Sequence, residues 1–313
     1  MTEKLPIVSI IIPTKNGGDM LKGVLKAIFE NSVTFGFEVI AVDSGSSDCT
    51  KDVIAKYPVK LVEIPPQSFS HGGARNLGAE NAAGEFLVFL TQDATPRNRS
   101  WLSCLIENFN DKAVAGVYGR QIPPEGASPI EKYFLHYLYP DSRIVKNSID
   151  PTDCLLSDIF FSNVNSAIRR SEWEKTRFNE EIIMSEDQEW SKRMLVKGKR
   201  IVYEPEAVVV HSHRYNFFTI IGRNFDSGMS LKGMVNASLS RSARYELDYL
   251  KGGFRFLAGN KSFAYFPLFP LYEVARLLGF ALGFNSDILP FSAKKFLSQN
   301  KAYWRVRIRL PPR

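Results

Sequence analysis

An α/β fold, with a Rossmann-like, doubly wound and mostly parallel sheet and a helical C-terminal extension, is predicted by three observations. Runs such as Ile7-Val-Ser-Ile-Ile-Ile-Pro13 are rich in β-branched residues, the composition of strands buried on both faces of a parallel sheet. Between Ile7 and Leu90 these runs alternate with helical periodicity, and a β-α-β order implies right-handed crossovers. After Tyr215 the periodicity becomes helical. Sheets of this kind bind ligands beyond the carboxyl ends of their strands.

The first strand is stopped by Pro13, and Asp19 to Glu30 reads as a helix with Leu21, Val24, Leu25 and Ile28 on one face. Phe37 to Asp43 is a second strand, Gly45-Ser-Ser-Asp-Cys-Thr50 opens a helix containing Val53 and Ile54, and Val59 to Ile64 is a third strand. Gly72-Gly73 introduces a helix over Arg75 to Ala83, and the buried strand Glu85 to Leu90 delivers Gln92 and Asp93 to the ligand edge. Trp101 to Asn110 reads as a helix and Ala113 to Arg120 as a short strand. Pro123, Pro124, Pro129, Pro140 and Pro151 mark an irregular excursion, with one helix near Pro129 to Leu138. Ile159 to Arg169 reads as a strand pair, Glu186 to Lys197 as a helix, and Lys199 to His211 as strands broken at Pro205. Helices follow at Phe217 to Ser227 and Ala243 to Leu257. The apolar stretch Phe263 to Phe284 has the length of a membrane span, but Pro267, Pro270, Glu273 and Arg276 interrupt it, which favours an interfacial or bundle-packed helix.

At 313 residues and 44% hydrophobic content, the chain suits one large α/β domain plus an appendage. Cys49, Cys104 and Cys154 lack the spacing of a zinc site or a disulfide framework, and no signal-like apolar segment opens the chain, so a reducing, cytoplasmic setting is expected. The net charge of +7 is unevenly spread: residues 214–313 hold 16 Lys/Arg against 5 Asp/Glu, or +11, and the rest carries −4. A basic tail suits nucleic acid or an anionic membrane surface, and the aromatic-apolar run Phe263 to Tyr272 beside it favours lipid over nucleic acid. The alternative is a packing surface, including one between copies in a homo-oligomer.

Two acidic positions carry the chemistry. Asp93, just past a buried strand, is placed to hold a divalent metal against phosphates, and Glu186-Asp187 can supply a base, a division of labour that suggests a group transferase. The strand ends Pro13-Thr-Lys-Asn16 and Asp43-Ser-Gly-Ser-Ser-Asp48 form a pocket able to hydrogen-bond a base and ribose. There is no Gly-x-Gly-x-x-Gly after strand one and no Gly-Lys-Ser/Thr loop, which removes the dinucleotide and P-loop readings. Asp43 taken alone fits a turn or helix cap as well as a ligand.

Pro13 to Asn16, Val42 to Asp48, Ala74-Arg75-Asn76, Thr91-Gln92-Asp93 and Glu186-Asp187, in this order, resemble the motifs of family 2 glycosyltransferases with the GT-A fold, over residues 7 to 215. Within that family, Phe69 to Asn76 and Phe89 to Ala94 look most like bacterial rhamnosyltransferases, which use dTDP-L-rhamnose. The resemblance implies a glycosyltransferase domain over 1–215 and a basic helical region over 216–313. It implies a nucleotide-sugar site at Pro13, Thr14, Asn16, Asp43, Gly45, Ser46, His71, Arg75, Gln92 and Asp93, with Arg75 as a fixed cation near the diphosphate. It places Mg2+ or Mn2+ on Asp93, assisted by His211 and next by His213, and Asp187 as the base of an inverting transfer. Glu186 competes for that role or touches the acceptor; Trp190 either stacks on an acceptor sugar or belongs to the core. The acceptor would be a saccharide or lipid-linked glycan of a surface polysaccharide, at the cytoplasmic face of the inner membrane. Thr91 stands where many relatives have a first metal-binding Asp, which leaves a catalytically decayed nucleotide-sugar-binding module as one alternative; a transferase using a UDP-hexose is another, because the donor sugar rests on few side chains.

Overall fold

A computed structural model of the chain describes residues 7–211, 216–301, 303 and 304. His213, and the boundary placed at Tyr215, lie outside the described residues.

The first part follows the predicted alternation: β1 (Val8–Thr14), α1 (Gly18–Phe29), β2 (Phe37–Asp43), α2 (Thr50–Ile54), β3 (Val59–Glu63), α3 (His71–Glu80) and β4 (Phe86–Leu90). Short β5 (Thr95–Pro96) and α4 (Trp101–Ile106) lead to β6 (Val114–Ile122), α5 (Pro129–Leu138) and β7 (Ile144–Lys146). Then come α6 (Leu156–Ile159), β8 (Asn165–Arg169), α7 (Arg170–Lys175), α8 (Glu186–Val196) and β9 (Arg200–Val210). The chain continues in helices: α9 (Phe217–Leu231), α10 (Leu239–Gly259), α11 (Leu268–Phe284) and α12 (Phe291–Leu297).

Among the described residues the strands form one sheet, ordered β3-β2-β1-β4-β8-β6-β9-β5, with β7 also paired to β9. The stretch β3-β2-β1-β4 is parallel, as expected, and so is β6 with β9. Between them β8 runs antiparallel to both β4 and β6. Alternate residues of β1 serve opposite faces: Ile10 and Ile12 pack with α1 and α4, whereas Ile11 packs with α3 and α8.

Two predicted elements differ. Ile159 ends the short helix α6, so the expected strand pair is the single strand β8. Pro205 does not break β9. The register jumps from Gly119↔Glu204 to Arg120↔Val208, so Pro205, Glu206 and Ala207 form a bulge that needs no ladder donor at the proline. Beyond the bulge the strand resumes, and the His211 amide donates to Ile122 O at 2.9 Å.

The C-terminal helices pack onto this scaffold. α9 and α11 approach until backbone touches backbone: a Cβ on Gly279 would collide with Ile221 O and one on Gly283 with Phe225 O. α10 joins α5 through the aromatic cluster of Tyr133, Tyr249 and Phe269. Glu273 and Arg276, which interrupt the apolar run, turn inward: Arg276 Nε lies 2.6 Å from Glu273 Oε2, its other end pairs with Glu246 of α10, and its guanidinium lies over the Tyr249 ring.

Candidate active site

The neighbouring ends of β2, β1 and β4 build one rim of the site. Thr14 Oγ1 donates to Gln92 Oε1 at 2.6 Å, which also accepts the Lys15 amide at 2.9 Å, while Gln92 Nε2 donates to Lys15 O at 3.1 Å. Gln92 thus ties the end of β1 to that of β4. Asn16, with φ of 49°, links β1 to the next strand end by donating its amide to Ser46 Oγ and accepting Ser47 N. Gly45 has φ of +84°, and a Cβ there would lie 2.5 Å from Pro66, so the turn requires glycine. Asp43 is fully buried; its carboxylate accepts the amides of Gly45 and Ser46 and the Ser46 hydroxyl. Of the two readings of Asp43, these contacts show the turn role: it shapes the turn that presents Ser44 to Ser47.

Just past the end of β4, Asp93 meets His211 from the end of β9. His211 Nε2 stands 3.5 Å from Asp93 Oδ1, and His211 Nδ1 lies 2.9 Å from Gln121 Oε1. Gln121 Nε2 in turn donates to the Tyr139 hydroxyl and, at 3.0 Å, to Ser162 Oγ, which orients the amide oxygen towards the imidazole. Nδ1 therefore carries the proton and Nε2 presents its lone pair on the Asp93 side, the usual partnership of a ligating histidine with a supporting acceptor. One carboxylate and one imidazole fit a divalent cation whose remaining positions are filled by phosphate oxygens and water. Among the described residues no group of three or more His, Cys, Asp or Glu could hold a metal by itself. The Thr91 hydroxyl is buried and has no hydrogen-bond partner among the described residues, and a threonine lacks the carboxylate of a first metal-binding Asp.

The acidic pair splits into two environments. Glu186 is almost fully buried, with Oε1 2.9 Å from Arg75 Nη1 and 3.3 Å from Asn163 Nδ2. Burial pushes its carboxyl up, but Arg75 and His71 outweigh that and hold it below the ordinary range. Asp187 Oδ2 accepts the Asn163 amide at 2.9 Å and Oδ1 the Gln188 amide at 2.8 Å. Burial, with Glu186 beside it, pushes this carboxyl up to about 7. His71, half-buried at the start of α3, moves the other way: burial lowers it, and Arg75 and Arg223 add to that against the pull of Glu186. Since Gln121 touches Ser162 and the next residue, Asn163, holds Asp187, a continuous chain of contacts runs from the Asp93–His211 pair to the Asp187 carboxylate.

A family profile described as "Glycosyl transferase family 2" matches residues 9–176, more than half the chain. The chain belongs to glycosyltransferase family 2. It is 32% identical over 304 residues to the O-antigen chain rhamnosyltransferase WbaN of Salmonella anatum, covering 96% of each chain. It is also 32% identical to the O-antigen chain rhamnosyltransferase RfbN of Salmonella typhimurium over 302 residues, 95% of this chain and 96% of the relative. The mannosyltransferase PcManGT from Pyrobaculum calidifontis, solved with GDP-Man and Mn2+, superimposes with a TM-score of 0.62 at 19% identity over 91% of this chain and 89% of that one, a likeness of fold.

In this family 2 glycosyltransferase, Trp190 takes the core role, the second of its two expected readings, and Arg75 pairs with Glu186. Trp190 is fully buried, donates Nε1 to Thr176 O at 2.8 Å and packs against Phe161 and Phe178, so it cannot stack on an acceptor. It shares the inward face of α8 with Glu186, one turn back, and with Met194. Arg75 pairs with Glu186 through Nη1, which also donates to His71 O, and its buried Nε has no hydrogen-bond partner among the described residues. Its neighbour Asn76 uses both ends of its amide to dock 178–180 on α3: Nδ2 donates to Phe178 O and Glu180 Oε1, and Oδ1 accepts Trp173 Nε1 and Phe178 N. Gln121 and Asn163 were not singled out in the sequence, because an isolated amide side chain carries no motif.

Proposed function

We propose that this glycosyltransferase transfers L-rhamnose from dTDP-β-L-rhamnose to a hydroxyl of a saccharide or lipid-linked glycan during synthesis of a bacterial surface polysaccharide. The choice of donor is supported by full-length likeness to two O-antigen chain rhamnosyltransferases. The observation that carries the chemistry is a buried carboxylate at Asp187, held by two backbone amides beside Glu186 and joined by contacts to the Asp93–His211 pair.

Asp187 takes the proton from the acceptor hydroxyl as its oxygen bonds to the anomeric carbon. The bond from that carbon to the diphosphate oxygen breaks, and the electron pair leaves with the nucleoside diphosphate. One displacement inverts configuration, so a β-linked donor yields an α-linked product. Asn163 and Gln188 hold both carboxylate oxygens of Asp187 through their amides, which fixes the base without neutralising it. Glu186, already paired with Arg75, positions the start of α8. A divalent cation, when bound at Asp93 and His211, offsets charge on the departing diphosphate, and the carboxylate-imidazole donor set favours Mn2+ over Mg2+.

The enzyme works peripherally at the cytoplasmic face of the inner membrane, attached through α11. The support is the inverted character of that helix: Glu273 and Arg276 turn inward, while Leu268, Leu271, Val274, Leu277 and Leu278 are exposed, within a sequence region, 214–313, of net charge +11. An interfacial helix of this kind sinks its apolar side into the headgroup boundary and is drawn there by anionic lipid.

A donor screen followed by linkage analysis of the product tests the activity. Transfer from dTDP-rhamnose with inversion is expected; preference for UDP-glucose, or binding without turnover over a range of acceptors, overturns the donor or the enzymatic reading. Pelleting with vesicles containing phosphatidylglycerol tests attachment. Leu271→Glu with Val274→Glu should abolish it at unchanged melting temperature, and failure of the unaltered protein to pellet at low salt rejects the membrane surface.

A further inference from the structure

We infer that Arg223, on the first helix of the C-terminal region, is the side chain that engages the diphosphate of the donor, so that this region completes the active site. The inference rests on the reading of the site as one for a nucleotide sugar. A cation at the diphosphate is needed because charge accumulates there as the sugar departs. The charge of the motif cation Arg75 is already matched by Glu186, 2.9 Å away, with both side chains more than nine-tenths buried, so a second cation is needed.

The geometry of α9 brings a second arginine to the same place. The Met184 amide donates to Ser230 Oγ at 3.1 Å, and Ser227 Oγ lies 3.5 Å from Met184 Sδ, so one face of α9 lies against the segment that leads into Glu186-Asp187. Arg223, Ser227 and Ser230 are spaced i, i+4 and i+7 and therefore share that face. Arg223 lies about 10 Å along the helix axis from Ser230 at 1.5 Å per residue. The helix is further anchored by Asp226, whose Oδ2 accepts the amides of Gln299 and Asn300, each at 2.9 Å. The Arg223 guanidinium is within electrostatic reach of Asp187, Asp93, Tyr139 and His71. Those four residues come from α8, the loop after β4, the end of α5 and the start of α3. A cation that feels all of them lies close enough to the base and to the Asp93–His211 pair to act on the reacting bond of the donor. A planar guanidinium there can meet two phosphate oxygens at once.

The experiment is calorimetric titration of the full-length protein and of Arg223→Gln and Arg223→Lys with dTDP and dTMP, alongside UDP and UMP. Charge-assisted contacts of this kind are worth roughly tenfold to a hundredfold in affinity. Arg223→Gln should weaken the nucleoside diphosphate by about that factor, leave the monophosphate within about twofold and depress turnover. Arg223→Lys should recover part of both losses by keeping the charge. Equal weakening of mono- and diphosphate, or no change in either, overturns the inference. If Arg223→Gln does not fold, the diphosphate-to-monophosphate ratio of the lysine variant decides by the same criterion. Should the unaltered protein bind UDP and not dTDP, the donor reading fails, while the Arg223 comparison is made on UDP and UMP.

Discussion

The Arg75 guanidinium stands 2.9 Å from the Glu186 carboxylate, and both side chains are almost completely withdrawn from water. That contact neutralises one member of an adjacent acidic pair and leaves the other, Asp187, on backbone amides alone. Two carboxylates one residue apart thereby acquire opposite tendencies: Glu186 is held ionised, and Asp187 binds its proton up to about 7. In the proposed mechanism this contrast assigns the base to Asp187 and the structural role to Glu186.

Asp187→Asn is expected to lower kcat by about a thousandfold or more, the scale of losing general-base assistance together with its placement, at little cost in melting temperature. Glu186→Gln should act mainly on stability, by about 3–5 kcal/mol, because it strands a buried guanidinium. Steady-state transfer assays and thermal melts of both variants separate the roles. Near-normal transfer by Asp187→Asn with abolition by Glu186→Gln would reverse the assignment.

The pH dependence follows from the same carboxyl. Asp187 works as a base only when ionised, so kcat/KM should rise with pH and reach half its plateau near pH 7. The stability effect has the opposite sign. Between the ordinary value of 3.8 and about 7 the folded state binds this proton more tightly than the unfolded chain, so this contribution to stability declines as pH rises through that window. Melting curves of the unaltered enzyme and Asp187→Asn from pH 4 to 8 should diverge in that sense, and parallel curves would reject the shift.

Gln121 should act on the metal without touching it. Gln121→Leu removes the acceptor that fixes His211 Nδ1 and is expected to weaken Mn2+ binding by about 10–100-fold, as for other supporting partners of a ligating histidine. His211→Ala should weaken it further. Binding of Mn2+ in the presence of nucleoside diphosphate, followed by electron paramagnetic resonance, reads both variants independently of turnover.

Trp190→Ala should cost about 3–5 kcal/mol of stability, the scale for a fully buried large aromatic. Its KM for the acceptor should change no more than that for the donor. A selective rise in acceptor KM, with unchanged melting temperature, would restore the indole to the acceptor site.

The local pattern of residues was enough for the alternation of strands and helices from Val8 to Leu90, the helix at Pro129–Leu138 and the family motifs, since periodicity, proline and short polar strand ends are features of neighbouring residues. It also pointed to Asp93, His211 and Asp187. Which partner each of these meets was settled only by the tertiary structure. Arg75 reaches Glu186, Gln121 reaches His211, and Asn76 reaches Phe178 because strands and helices distant in sequence are brought edge to edge. The antiparallel insertion of β8 and the bulge at Pro205 depend on pairing partners that a single segment does not encode. Burial decided the rest: a tryptophan or aspartate has the same chemistry on either face of its element, and only packing turned Trp190 and Asp43 inward and left Asp187 to titrate.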